Sequence, residues 1–117
     1  MAFNSRRFAP SDERIYWLVR EGASNKWNQI AAKWMSVWHM SPMHGEGGDH
    51  PCPFPVELAH KCIEATTDKG DLVLDCFAGS GTTLRAAKDL GRRAVGVELS
   101  SKYSDIAVAR LGQEVLF

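Results

Sequence analysis

The chain is poor in cysteine and has no long apolar run. Cys52, Cys62 and Cys76 are its three cysteines in 117 residues. That odd, sparse set does not suggest a disulfide framework. His44, His50 and Cys52 lie near one another in sequence, but no Cys-x-x-Cys or His-x-x-x-His accompanies them, so no metal site is expected. No apolar stretch reaches the roughly 18 residues expected of a membrane-spanning helix. No apolar signal core follows Met1–Arg7. A soluble, cytoplasmic protein with no membrane partner is therefore expected. The formal net charge is zero, so the whole chain is not an obvious polyanion binder. There is also no Pro-Pro dipeptide and no internal repeat.

What is present is unevenly distributed. Residues 1–40 carry Arg6, Arg7, Arg14, Arg20, Lys26 and Lys33 against Asp12, Glu13 and Glu21, six minus three, or +3. The same stretch holds all four tryptophans, Trp17, Trp27, Trp34 and Trp38. Basic residues interleaved with aromatics can serve nucleic acid; large aromatics equally serve a core or an interface. Residues 43–53, with three glycines and two prolines, read as a loop. The chain is expected to be one domain: an aromatic-rich strand region over 1–42, the loop over 43–53 and a regular α/β region over 54–117.

In the first region, 14–19 and 35–40 read as strands from their aromatic and β-branched content, and 25–33 as a short helix or a loop. The second region is clearer. Pro55 suits the first turn of a helix, along which Leu58, Ala59, Cys62, Ile63 and Thr66 recur at helical spacing, with Gly70 beyond its end. Leu72–Leu74 and Ala94–Val97 read as short buried strands. Between them, Gly81–Leu90 reads as a helix closed by a left-handed Gly91. Ser100 can cap a last helix whose Tyr103, Ile106, Ala107, Arg110 and Leu111 share one face. Strand, helix, strand at this spacing is a right-handed βαβ unit with parallel strands, and such a sheet normally needs cover on both faces.

Chemistry concentrates at Asp75-Cys76-Phe77-Ala78-Gly79-Ser80-Gly81-Thr82-Thr83, between the first strand and the helix. Glycines there let backbone approach a ligand closely. The N–H groups of a helix start favour a carboxylate or phosphate, and the threonines add hydroxyl donors. Glu98, at the end of the next strand, falls on the same sheet edge, and its two oxygens can accept both hydroxyls of a ribose. A dinucleotide fingerprint fails because Leu84 holds the third glycine position, which counts against a nicotinamide oxidoreductase. A Walker loop fails because Gly81 is followed by Thr82. S-adenosylmethionine offers a carboxylate for the loop and a ribose for the acid.

The Asp75–Thr83 string resembles the cofactor loop of the DNA methyltransferases that modify exocyclic amines of adenine or cytosine, a family that usually has proline where this chain has Cys76. His50-Pro51-Cys52-Pro53-Phe54-Pro55-Val56-Glu57-Leu58 resembles the segment that lines the methionine end of the cofactor. Gly96-Val97-Glu98-Leu99, followed by Tyr103, Ala107 and Arg110, resembles the ribose-binding acid and the helix after it. Residues 6–40 resemble, more loosely, the strands that precede these motifs in the subgroup whose cofactor loop lies near the carboxyl end.

The resemblance implies a partial Rossmann-like class I methyltransferase fold and S-adenosylmethionine as cofactor. It implies that Phe77, Ala78, Gly79, Ser80 and Gly81, with Thr82 or Thr83, hold the methionine part. Asp75 would orient the loop or the amino group. Glu98 would take the ribose, Leu99 would pack on the adenine, and Phe54 would lie near the cofactor from the other side. Tyr103 and Arg110 read as structural.

The family's chemistry depends on Asp, Ser or Asn followed by Pro-Pro and an aromatic, which holds the target amine of a flipped base in line with the methyl group. Ser41-Pro42-Met43 is the nearest string here, and it lacks the second proline and the aromatic. In the matching subgroup that tetrapeptide comes upstream of the point where this chain begins. The expectation is a cofactor-binding portion, acting on DNA, inactive alone and needing a complementary chain with the catalytic loop. The alternative is a non-catalytic S-adenosylmethionine-binding module or a decayed fragment. The open edge of the Leu72–Asp75 strand further suggests a homo-oligomer.

Overall fold

The computed structural model describes residues 13–23, 26–40 and 54–112. The 43–53 loop, with His44, His50 and Cys52, lies outside them. Among the described residues, three helices and two strands follow one another as α1 (Val56–Thr66), β1 (Leu72–Asp75), α2 (Thr82–Asp89), β2 (Arg93–Gly96) and α3 (Ser101–Gly112), preceded by a 3-10 turn at Gln29–Lys33. The strands are parallel, with Leu72 opposite Arg93, Leu74 opposite Val95 and Asp75 opposite Gly96. This is the parallel βαβ unit that the spacing implied, within the partial Rossmann-like α/β fold that the resemblance implied. No helix among the described residues is long and apolar enough to cross a membrane.

The local signals act as read. Pro55 stands in extended conformation just before α1 and needs no N–H there. Gly91 takes a φ of +74° just past α2, and its N–H donates to the Lys88 carbonyl. Ser100 Oγ accepts the Tyr103 N–H at 3.5 Å at the start of α3. Cations finish the helix ends: Lys88 Nζ donates to the Leu111 carbonyl at 2.6 Å, where the dipole of α3 is negative. Arg92 donates to the Thr67 carbonyl and hydroxyl and to the Leu90 carbonyl, joining the ends of α1 and α2.

The strands expected over 14–19 and 35–40 are not formed. A strand exists only where a neighbour takes its N–H and C=O groups, and among the described residues none is placed to do so. Ile15, Tyr16, Leu18, Met35 and Val37 stand exposed instead. The first region is held at other points. Asn28 N–H donates to the Ala65 carbonyl at 2.7 Å, and Lys26 Nζ lies 2.7 Å from both Asp68 and Asp71. Trp17 packs on Trp27 at 4.9 Å between ring centroids, Trp34 meets Trp38 edge-on, and Lys61 sits over the Trp38 ring. Half of the ambiguity about 25–33 resolves to the 3-10 turn, capped by the Asn28 side chain on the Ile30 N–H.

The two strands are also not buried on both sides. Val73 and Ala94 turn to a core of Ala59, Ile63, Ala86 and Ala87, with Val56 and Leu90 around it. Their neighbours Leu72, Leu74, Val95 and Val97 form the opposite face and remain exposed, Leu74 at 62%. Side chains alternate across a strand, so cover on one side leaves every second residue open. Among the described residues, Ile63 is the only buried apolar side chain larger than alanine. The helices therefore sit close to the sheet but bury little surface, and burial is what supplies most of a small domain's stability.

Candidate functional site

The site is built where β1 and β2 end on the same edge. At the end of β1 the Asp75 carboxylate accepts the Phe77 N–H at 3.0 Å and turns the chain out of the strand. Ala78 N–H donates to the Val97 carbonyl at 2.9 Å, tying the loop to the extension of β2. Gly81 N–H donates back to the Ala78 carbonyl at 2.8 Å and closes the turn that starts α2.

Two glycines permit this path. Gly79 and Gly81 have φ of +52° and +83°, where a side chain is strained. A Cβ on Gly81 would also stand 2.8 Å from the Ala107 Cβ of α3. Gly96, in β2, serves proximity alone: a Cβ there would lie 2.7 Å from Leu84 and 2.9 Å from Ala78. At both Gly81 and Gly96 the neighbours leave no room for a Cβ, so strand, loop and helix pack closely there.

Glu98 joins this crossing from β2. Its Oε2 accepts the Gly79 N–H at 2.7 Å, and its Oε1 accepts the Ser100 N–H at 2.9 Å. The acid thus lies against the glycine loop, as the shared edge required. Ser80 and Thr82 are buried, whereas Phe77 and Leu99 are 91% and 101% exposed.

Of the loop N–H groups, those of Phe77, Ala78, Gly79 and Gly81 donate within the fold. The first turn of α2, at Thr82 and Thr83, has no side-chain cap. A helix start in that state carries partial positive charge and outward donors. The loop's hydrogen bonds run to Asp75, Val97, Glu98 and α3, and not to Phe54, which stands before α1 on a separate element, part exposed.

Sequence reasoning did not foresee how α3 reaches the loop. Arg110 Nη1 donates to the Ser80 carbonyl, the Ser80 hydroxyl and the Thr82 hydroxyl, at 2.9, 3.0 and 3.4 Å. The available signal was an arginine on the inward face of an amphipathic helix. Cys76 is an exposed free thiol, and burial pushes the Cys62 thiol above its ordinary value, which keeps it protonated and unreactive. No cluster of His, Cys, Asp or Glu among the described residues could hold a metal ion.

A family model described as DNA methylase matches residues 1–109. The type II methyltransferase M.BglI of Bacillus subtilis is 41% identical over 99 residues, which are 80% of this chain and 28% of that protein. The crystal structure of M1.HpyAVI in complex with SAM is 33% identical; the match covers 79% of this chain and 46% of that one, with a TM-score of 0.64. PvuII DNA methyltransferase, described as cytosine-N4-specific, shares the fold at 23% identity and a TM-score of 0.67, over 79% of this chain and 38% of that one. The chain spans about a quarter of the length of the curated relatives it matches.

Proposed function

The chain belongs to the DNA methylase family of N6- and N4-amino methyltransferases, and from that premise we propose that it is the S-adenosylmethionine-binding portion of such an enzyme. The observation that carries the reading is Glu98 held against a glycine loop at the common end of two parallel strands. A cofactor with a carboxylate at one end and a ribose near the other fits both features.

The residues divide the work. The cofactor carboxylate lies at the first turn of α2, where Thr82 and Thr83 offer uncapped N–H groups and Thr83 adds its hydroxyl. Phe77, Ala78, Gly79, Ser80 and Gly81 shape the cradle, and their own hydrogen bonds fix it before the cofactor arrives. Glu98 accepts the ribose hydroxyls. Leu99 and Phe77, both open to solvent, give the adenine and the methionine chain apolar surface. Asp75 holds the loop through the Phe77 N–H, and Phe54 closes the cradle from the start of α1. Bound S-adenosylmethionine would supply the sulfonium methyl that an exocyclic amine of adenine or cytosine accepts.

The 117 residues act as one domain, with 54–117 as the cofactor-binding unit, on DNA in the cytoplasm. They contain no Pro-Pro-aromatic string, so the contacts that place the target base come from outside this sequence. Alone, the chain binds cofactor and does not methylate. Calorimetric titration with S-adenosylmethionine and its demethylated product tests the first half. No heat and no thermal shift at millimolar ligand would sink it. Labelled methyl entering duplex DNA with the pure chain, above a Glu98→Ala control, would overturn the second half. Transfer restored by adding a polypeptide with Asp-Pro-Pro-Tyr or a relative would favour a divided enzyme over a module that only binds.

A further inference from the structure

The glycine loop is held from below by a residue of the last helix. Arg110 lies 30 positions beyond Ser80, yet one of its nitrogens, Nη1, makes three contacts there: the Ser80 carbonyl at 2.9 Å, the Ser80 hydroxyl at 3.0 Å and the Thr82 hydroxyl at 3.4 Å. Ser80 and Thr82 are both buried, so these oxygens are shielded from most of the water that could replace the arginine. Ser80 C=O and Gly81 N–H belong to one planar peptide. Arg110 holds its oxygen while the Ala78 carbonyl, 2.8 Å away, holds its N–H. Both ends of this peptide are thus pinned in the turn that leads into α2. One turn of α3 away, Ala107 closes the space beside Gly81, so helix and loop approach closely there.

We propose that Arg110 is a positioning residue for the cofactor: it acts through Ser80 and Thr82 to fix the peptide that aims the first turn of α2 at the ligand carboxylate. The proposal rests on the reading of this loop as an S-adenosylmethionine site. Loss of the guanidinium frees the 80–81 peptide to rotate, and the ligand must then restrain it on binding. An ordering cost paid at binding shows as weaker affinity. Because all three contacts meet at one nitrogen, no flat two-pronged recognition is involved, and a lysine, with three donors on one nitrogen, should recover most of the function.

The test is calorimetric affinity of the whole chain for S-adenosylmethionine, with thermal midpoints alongside, for wild type, Arg110→Ala, Arg110→Lys and Lys88→Ala. Lys88 donates to the Leu111 carbonyl at 2.6 Å and so anchors α3 without touching the loop. Arg110→Ala is expected to bind about tenfold more weakly, the effect of losing a charged hydrogen-bond donor. Arg110→Lys should recover most of that loss, and Lys88→Ala should bind as wild type does. Equal affinity for wild type and Arg110→Ala, or a loss in Lys88→Ala that matches the one in Arg110→Ala, overturns the proposal. If Arg110→Ala does not fold, Arg110→Gln carries the same comparison; if neither folds, the role is structural and the proposal fails. A wild-type chain that binds no cofactor refutes the functional reading itself, and is told apart by that arm alone.

Discussion

Glu98 Oε2 accepts the Gly79 N–H at 2.7 Å across 19 positions of sequence. Its other oxygen takes the Ser100 N–H, so one carboxylate bridges the glycine loop and the start of α3. Glu98→Ala leaves both N–H groups without this partner and should destabilise the fold by about 1–3 kcal/mol. It should also weaken S-adenosylmethionine binding by about 1–3 kcal/mol, since the ribose loses a charged acceptor. Glu98→Gln turns an NH2 group toward one of two backbone donors and should fall between. Urea unfolding and titration calorimetry on the same samples check both. A Gln variant equal to wild type in both would show that the charge is idle.

Gly81 combines two demands, and each predicts a loss. Its φ of +83° strains any side chain, and an added Cβ would stand 2.8 Å from Ala107. The obstructing atoms include the α3 backbone, which cannot swing aside as a flexible side-chain end would. Gly81→Ala should cost about 1–3 kcal/mol from the left-handed backbone alone, with the clash in addition. Chemical denaturation measures it. If the clash matters, Ala107→Gly should recover part of the loss in the double variant. Gly70→Ala is the control, because φ is +86° there with open space around it.

The legible part of the fold was the part set locally. Gly91, Pro55 and Ser100 mark helix ends through their own backbone chemistry, and Glu98 follows from the rule that parallel strands end together. The first region was misread because pairing is not local. Residues 14–19 have strand composition, but composition supplies no neighbour for their N–H groups. The same limit hid the open face of the sheet: Leu72 and Leu74 look buried in sequence because leucines usually are. The contact of Arg110 with Ser80 was half visible. Helical spacing put Arg110 on the inner face with Ala107, and only the packing of α3 on α2 shows that this face meets the loop.

Lys26 predicts a pH and salt dependence for the docking of the first region. Its ammonium lies between Asp68 and Asp71, which hold it above the ordinary lysine range. The Asp68 N–H and then Lys26 hold the Asp71 carboxyl below the usual carboxylate range. A lowered carboxyl contributes stability above its unfolded pKa and loses it as pH falls through the folded value. A raised ammonium contributes below its unfolded pKa and loses it as pH rises through the folded value. Docking should therefore be constant across neutral pH and weaken in acid and in strong alkali. The groups are exposed, so the effect is modest and screened by salt. Fluorescence of Trp27, the next residue, reports it against pH. Asp71→Asn should lose the Asp71 part of the acid transition; an unchanged transition would assign it to another group.

Association with a second copy is the outcome expected of the uncovered sheet. Leu72, Leu74, Val95 and Val97 share one open face, and among the described residues no element lies over it. A single helix-covered face with, among the described residues, one buried apolar side chain larger than alanine leaves a small stability margin. Apolar surface of this kind is rare on monomers and favours a partner, and in a pure sample the expected partner is a second copy about a two-fold axis. Light scattering at micromolar concentration should give a dimer mass. Thermal unfolding should move to higher temperature as protein concentration rises, because assembly stabilises the folded form by mass action. Leu74→Lys puts a charge in the middle of the face, opposite Val95. It should shift the equilibrium to monomer while leaving the helical side of the sheet, where Val73 and Ala94 pack, undisturbed. A monomer mass for wild type with concentration-independent unfolding would rule the dimer out.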